Sequence, residues 1–163
     1  MDFIEPFRDI TSIVRAVIQR VSDASVTIND QLKAAIGRGL VVLPAIEEAD
    51  NASDIEWLSG KILRLRVFHD NRGVMNLSVQ DVQGDVLFIS QFTLLASTKK
   101  GNRPSYTRSA KRKIAFSLFT QFMMRLAQQF GKPVQTGEFG AHMDVSLTND
   151  GPVTLIIDSK TCD

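Results

Sequence analysis

Apolar and polar residues alternate with a period of two along "VRAVIQRV" (14–21) and "SVTIN" (25–29). Both stretches are rich in β-branched side chains and are predicted strands. "LKAAI" (32–36) is expected to pair back across the polar turn at Asn29-Asp30. "GLVVLPAI" (39–46) is almost entirely apolar, the pattern of a strand buried on both faces. The period then changes. Ile55, Leu58, Ile62 and Leu65 form a helical stripe behind an N-cap at Asn51 or Ser53. "VFHDNRGVMN" reads as a short strand and a turn at Asn71-Arg72-Gly73, and "DVLFISQFTLL" (85–95) as the most hydrophobic strand. A basic loop, "ASTKKGNRPSYTRS", leads into a second helix of about 20 residues. Ser109 is its expected cap, and Ile114, Leu118, Met123, Leu126 and Phe130 lie on or near one face. Gly131 and Pro133 end it. Short strands follow around "VQTGEFG", "MDVSLT" and "VTLIID". The last two read as a hairpin whose tip, Asn149-Asp150-Gly151-Pro152, has one odd feature: Pro152 opens a strand with no N–H to give.

This order of elements predicts an α/β or α+β fold, with an antiparallel or mixed sheet and two main helices. Val14 is the natural starting point of one domain, 14–163, and residues 1–13 read as an N-terminal extension. A chain of 163 residues, 44% hydrophobic and 23% charged, is ordinary for one globular domain. No apolar run approaches the roughly 18 residues that span a membrane. Asp2 and Glu5 stand where a secretory signal would be basic. The one cysteine, Cys162, excludes an internal disulfide and a Cys-based metal site, and a reduced, cytoplasmic setting is the simplest inference.

Charge changes the picture more than composition does. The net charge is +1, yet the 52 residues from Val86 to Gly137 contain no acid and nine bases. The rest of the chain carries ten bases and eighteen acids. Such segregation is the footprint of a face that attracts a polyanion such as nucleic acid, or simply of a solvated helix and its loop.

The sequence lacks the common catalytic machines. His69 sits in a turn-like "FHDNRG" and reads as a surface residue. His142 could serve as a base, but no G-x-S-x-G elbow accompanies it. There is no HExxH, CxxC, Walker loop or GxGxxG, so no metal or cofactor is expected. Catalysis, if any, would rest on backbone dipoles, a hydroxyl or the substrate itself.

Four stretches, "VRAVIQRVSDASVTI", "KILRLRVFHDNRGVMNLSV", "SQFTLLASTKKGNRPSYTRSA" and "TGEFGAHMDVSLTNDGPVT", together resemble the D-aminoacyl-tRNA deacylases over residues 14 to about 159. The SQFTL and NDGPVT segments, about 60 residues apart, are the most specific part of the resemblance. It implies a β-barrel-like sheet with helices packed outside. It also implies a homodimeric, cofactor-independent hydrolase that frees D-amino acids, and mischarged glycine, from the 3′-terminal adenosine of tRNA.

Residue by residue, the resemblance makes Gly151-Pro152 a cis unit that each subunit inserts into the active site of the other. Its stiff main chain would leave no room for an L side chain. Arg20 would hold the Gly-Pro carbonyls, its alternative being an exposed strand arginine. Ser90, Gln91, Phe92 and Thr93 would form the catalytic strand end. There the amides near Phe92 and Thr93 would stabilise the oxyanion, Thr93 would orient water or contact the ester, and the adenosine 2′-hydroxyl would assist. Met143 would line the pocket. Lys99, Lys100, Arg103, Arg108, Lys111, Arg112 and Lys113 would grip tRNA phosphates without reading bases. Without the resemblance these residues read as a tight hairpin tip, core packing and a polar strand face. Three other readings compete: a related editing deacylase with a trans Gly-Pro acting on small L-aminoacyl-tRNA, an RNA-binding module without catalysis, and a general esterase.

Overall fold

A computed structural model describes residues 14–161. The extension 1–13 and the Cys162 tail lie outside the described residues. Eight strands, two α-helices and one 3-10 turn follow in the order β1 (Val14–Ile28), β2 (Gln31–Ile36), β3 (Gly39–Ile46), α1 (Ala52–Arg64), β4 (Phe68–His69), β5 (Met75–Leu77), β6 (Asp85–Phe88), the turn Phe92–Leu95, α2 (Arg112–Phe130), β7 (Gln135–Thr136) and β8 (Asp144–Asp158). The main sheet is mixed. β1 pairs antiparallel with β2, β3 and β8, whereas β6 runs parallel to β3 and β7 parallel to β6. β2 curls round to pack against β6 and β7, which nearly closes the sheet into a barrel.

Two clusters of buried side chains account for this shape. On the helix side, Val14, Ala16, Ile18, Leu40, Val42, Val86 and Phe88 meet Leu58, Ile62, Phe119, Phe122 and Leu126. Inside the barrel, Val21, Ala24, Val26, Ile36, Val41, Leu87 and Ile89 pack together. The unbroken apolar run of β3 is thereby explained. Successive residues point to opposite faces, and both faces are cores. β1 changes allegiance midway. Ala16 and Ile18 face the helices but Ala24 and Val26 face the barrel, because the register with β8 slips between Val21 and Asp23 and leaves Ser22 as an extra residue.

The Asn29-Asp30 turn has both residues at positive φ (49° and 61°), as a tight hairpin requires. Asn51, not Ser53, caps α1, in a reciprocal capping box with Asp54. Arg125 of α2 holds both carboxylate oxygens of Glu56 on α1, and this pairing keeps the Glu56 carboxyl below its usual range.

Four expectations are corrected. α2 begins at Arg112 after Lys111, with no side-chain cap, so Ser109 is not its N-cap. Its buried stripe is Phe119, Phe122, Leu126 and Phe130, and Ile114 is exposed. The aromatic residues win because Phe88 receives both rings, with centroids 5.0 Å from Phe119 and 4.9 Å from Phe122. The run 85–95 is not one strand: β6 stops at Phe88 and the chain tightens into the 3-10 turn, burying Leu95 and leaving Phe92 exposed. The C-terminal hairpin does not exist. β8 is one strand, and both of its halves pair with β1.

Candidate active site

Beyond the end of β6 the chain keeps following β3. Ile89 N–H donates to Val42 O (3.0 Å) and Gln91 N–H to Pro44 O (2.8 Å). This fixes Ser90 and Gln91 at the edge of a cavity of about 600 Å³. Ile46, Ile89, Phe92, Tyr106, Phe139 and Met143 form much of its wall. Phe92 stands on the rim, 54% exposed, with its ring edge-on to Tyr106 at 5.0 Å. The amides of Phe92 and Thr93 open the 3-10 turn, so the turn itself offers them no acceptor. Thr93 is exposed beside the cavity and outside its lining, and its hydroxyl accepts a hydrogen bond from the Gln91 amide. Met143 lines the wall while packing against the barrel cluster.

Arg112 also lines this cavity. Its guanidinium lies against the main chain of Gly140, where φ is +79° and an added Cβ would stand 2.7 Å from Nη2. His142 is 96% exposed at the mouth, with Nε2 3.8 Å from Asp144 Oδ1. The Ser109 hydroxyl is buried in the wall without a hydrogen-bond partner. Tyr106, Ala110 and Phe139 were not anticipated. Tyr106 carried one faint signal as the only tyrosine of the chain, set in a basic loop. Phe139 offered only a place between two glycines, Gly137 and Gly140.

Gly151 and Pro152 lie elsewhere. Gln19 pairs with Thr154 and Val21 with Asn149, so the four residues 150–153 bulge out opposite a single residue, Arg20. Arg20 is not an exposed strand arginine: it is 3% exposed and reaches into the bulge. Its Nε donates to Asp150 O at 2.8 Å and its Nη1 to Val67 O, with Asp150 Oδ2 3.5 Å away. The Arg20 contact is thus to the Asp150 carbonyl, one residue before the expected pair. Asn149 closes the base, its carboxamide accepting from Val153 N–H (2.8 Å) and donating to Val153 O (3.1 Å). The Gly151–Pro152 peptide is cis, and both residues are exposed and outside the lining of the cavity of their own chain.

The basic residues divide into two groups. Ser97 and Ser105 exchange backbone hydrogen bonds (2.8 and 2.9 Å), which makes 97–105 a finger carrying exposed Lys99, Lys100 and Arg103. Tyr106, at the base of that finger, reaches the cavity rim. Lys111, Arg112 and Lys113 are exposed at the start of α2. Arg108 is engaged differently, in an ion pair with the mostly buried Glu47.

The D-Tyr-tRNA(Tyr) deacylase family model matches residues 17–158. A D-aminoacyl-tRNA deacylase of Flavobacterium johnsoniae is 56% identical over 147 residues, 90% of this chain and 98% of that protein. The D-aminoacyl-tRNA deacylase of Parabacteroides distasonis is 56% identical over the same shares. Among solved structures, the c-Myc DNA unwinding element binding protein superimposes with a TM-score of 0.83 at 39% identity, covering 88% of this chain and 97% of that one. A probable eukaryotic D-amino acid tRNA deacylase, 19% identical with a TM-score of 0.76 over 90% of this chain and 99% of its own, shares the fold. No helix among the described residues is long and apolar enough to cross a membrane.

Proposed function

The chain belongs to the D-Tyr-tRNA(Tyr) deacylase family and is an aminoacyl-tRNA ester hydrolase, and from that premise we propose how it tells D from L. The cavity beside Ser90, Gln91 and Phe92 takes the aminoacylated 3′ end of tRNA. The ester is already activated, so modest help suffices. Amides of Phe92 and Thr93 face the charge that develops on the carbonyl oxygen, Thr93 orients the attacking water, and the adenosine 2′-hydroxyl assists. Water adds to the carbonyl, the ester C–O bond breaks, and free D-amino acid and tRNA leave. The basic finger and Lys111 to Lys113 hold phosphates, in keeping with a tRNA substrate in the cytoplasm.

Handedness is judged by the 150–153 bulge of a second copy. Two observations support this. The bulge is exposed and does not line the cavity of its own chain. β8 is an edge strand, and its residue Val145 borders the cavity while Asn149, at the base of the bulge, lies four residues further along the strand, roughly 13 Å at the usual rise. Two copies aligned antiparallel along this edge carry each bulge toward the cavity of the other. There the Gly151 and Pro152 main chain meets the substrate α-carbon and excludes an L side chain. A D residue turns its side chain away, and glycine, having none, is also accepted. The single observation that carries the reading is the bulge clamped by the buried Arg20.

Deacylation of matched D- and L-tyrosyl-tRNA tests the proposal. Wild type should release only D-tyrosine and sediment as a dimer, and Thr93→Ala should slow release by about ten- to a thousandfold. Equal release of both enantiomers, or full chiral selection by a monomer, would sink it.

A further inference from the structure

A second recess, of about 440 Å³, adjoins the cavity and is lined by Arg112, Lys113, Phe116 and Phe139. The two share Arg112 and Phe139 as a common wall. Phe116, one turn into α2 behind Arg112 and Lys113, is a large apolar residue left 53% exposed. It is nevertheless held in place, edge-on to Phe139 with centroids 5.3 Å apart, and Phe139 in turn contacts the buried Phe119 at 5.4 Å. The result is a fixed, half-open aromatic face beside two cations. Glu138, the acid next to Phe139 in sequence, lines a different recess and not this one.

We infer that this recess binds the nucleotide that precedes the terminal adenosine of the tRNA, with its base stacked on Phe116 and its 3′ phosphate on Arg112. The inference rests on the deacylase reading, which puts the terminal nucleoside in the first cavity. The phosphate joining two successive nucleosides must then cross the wall between the recesses, and of the two side chains at that wall, Arg112 and Phe139, the charged one is Arg112. Its planar donors suit a phosphate. A flat, exposed ring suits a base without regard to its identity, as binding of every tRNA end demands. A peptide or lipid partner would not call for the recess to open from the nucleoside cavity through a guanidinium.

The experiment compares kcat/KM on D-tyrosyl-tRNA with kcat/KM on 3′-(D-tyrosyl)adenosine, which lacks the preceding nucleotide. In Phe116→Ala the ratio of the two should fall about tenfold, the scale of one lost base–aromatic stack, and Phe116→Trp should restore it. Wild-type enzyme on D-tyrosyl-tRNA with an abasic penultimate nucleotide should show the same loss, and Phe116→Ala should add nothing further on that substrate. The wild-type measurement on the abasic substrate holds even if the alanine variant fails to fold. A ratio unchanged in Phe116→Ala, or an abasic substrate cleaved at the normal rate, overturns the inference while leaving the deacylase reading intact. Failure of the wild type on both intact substrates would instead overturn the reading beneath it.

Discussion

The cavity and the bulge are built on opposite plans. The cavity is a wall of side chains drawn from separate stretches, with Ser90 to Phe92, Tyr106, Arg112 and Met143 among them, and several are half-exposed or exposed. The bulge is main chain. Four residues stand out from the sheet opposite one, held by a buried guanidinium beneath and a carboxamide at the base. A side-chain wall tolerates different contents, because each rotamer can give way. A hydrogen-bonded loop of main chain has few soft degrees of freedom. Under the proposed function both plans are used: the cavity of one copy accommodates the side chain, and the bulge of the other judges its hand.

The largest effect expected from breaking this division is at Arg20. Arg20→Ala leaves the carbonyl of Val67 unpaired at a buried site and that of Asp150 at a half-buried one, and it should lower stability by about 3 kcal/mol in urea unfolding. The D/L rate ratio should fall at least tenfold. Arg20→Lys should recover less than half of either loss, since one ammonium does not present the fork that serves both oxygens. A loss under about 1 kcal/mol with selection intact would mean that the bulge holds itself.

Gly151→Ala is the next test. Gly151 has φ +146°, and a Cβ there would come 2.8 Å from Val153 N and 3.2 Å from Arg20 Nη2. The substitution should cost about 1–3 kcal/mol and weaken selection more than it slows ester cleavage at the separate cavity. Equal damage to both would argue against the division of labour.

The smallest effect is expected in the cavity wall. The Ser109 hydroxyl is buried without a partner, so Ser109→Ala should leave the melting temperature unchanged or raise it slightly, by less than about 1 kcal/mol in stability. A marked destabilisation would reveal that the hydroxyl is paired in solution.

Much of this was legible in the chain. The β-branched alternation of 14–21, the doubly buried β3, the Asn29-Asp30 turn, the α1 cap and the Gly131 helix stop are local signals and appear where expected. The cavity edge at Ser90 to Phe92 and the wall at Met143 came from motif resemblance, and geometry brings them together. Local pattern misled where a distant partner decided the outcome. "MDVSLTNDGPVTLIID" has every mark of a hairpin, yet β1 is long enough to pair with both halves, so the two stay in line and the turn becomes a bulge. Ile114 lost its place in the core to Phe119 and Phe122 because the ring of Phe88 lies opposite them.

The sequence by itself determined most of the strands, the two helices, the acid-free stretch and the family, since these depend on period, composition and motif. Only tertiary structure decided that Arg20 is buried beneath the bulge, that Tyr106 and Phe139 line the cavity, and that the cavity and the bulge stand apart on one chain. Those facts are set by which distant segments share an edge or a wall, and local pattern carries no record of such pairings.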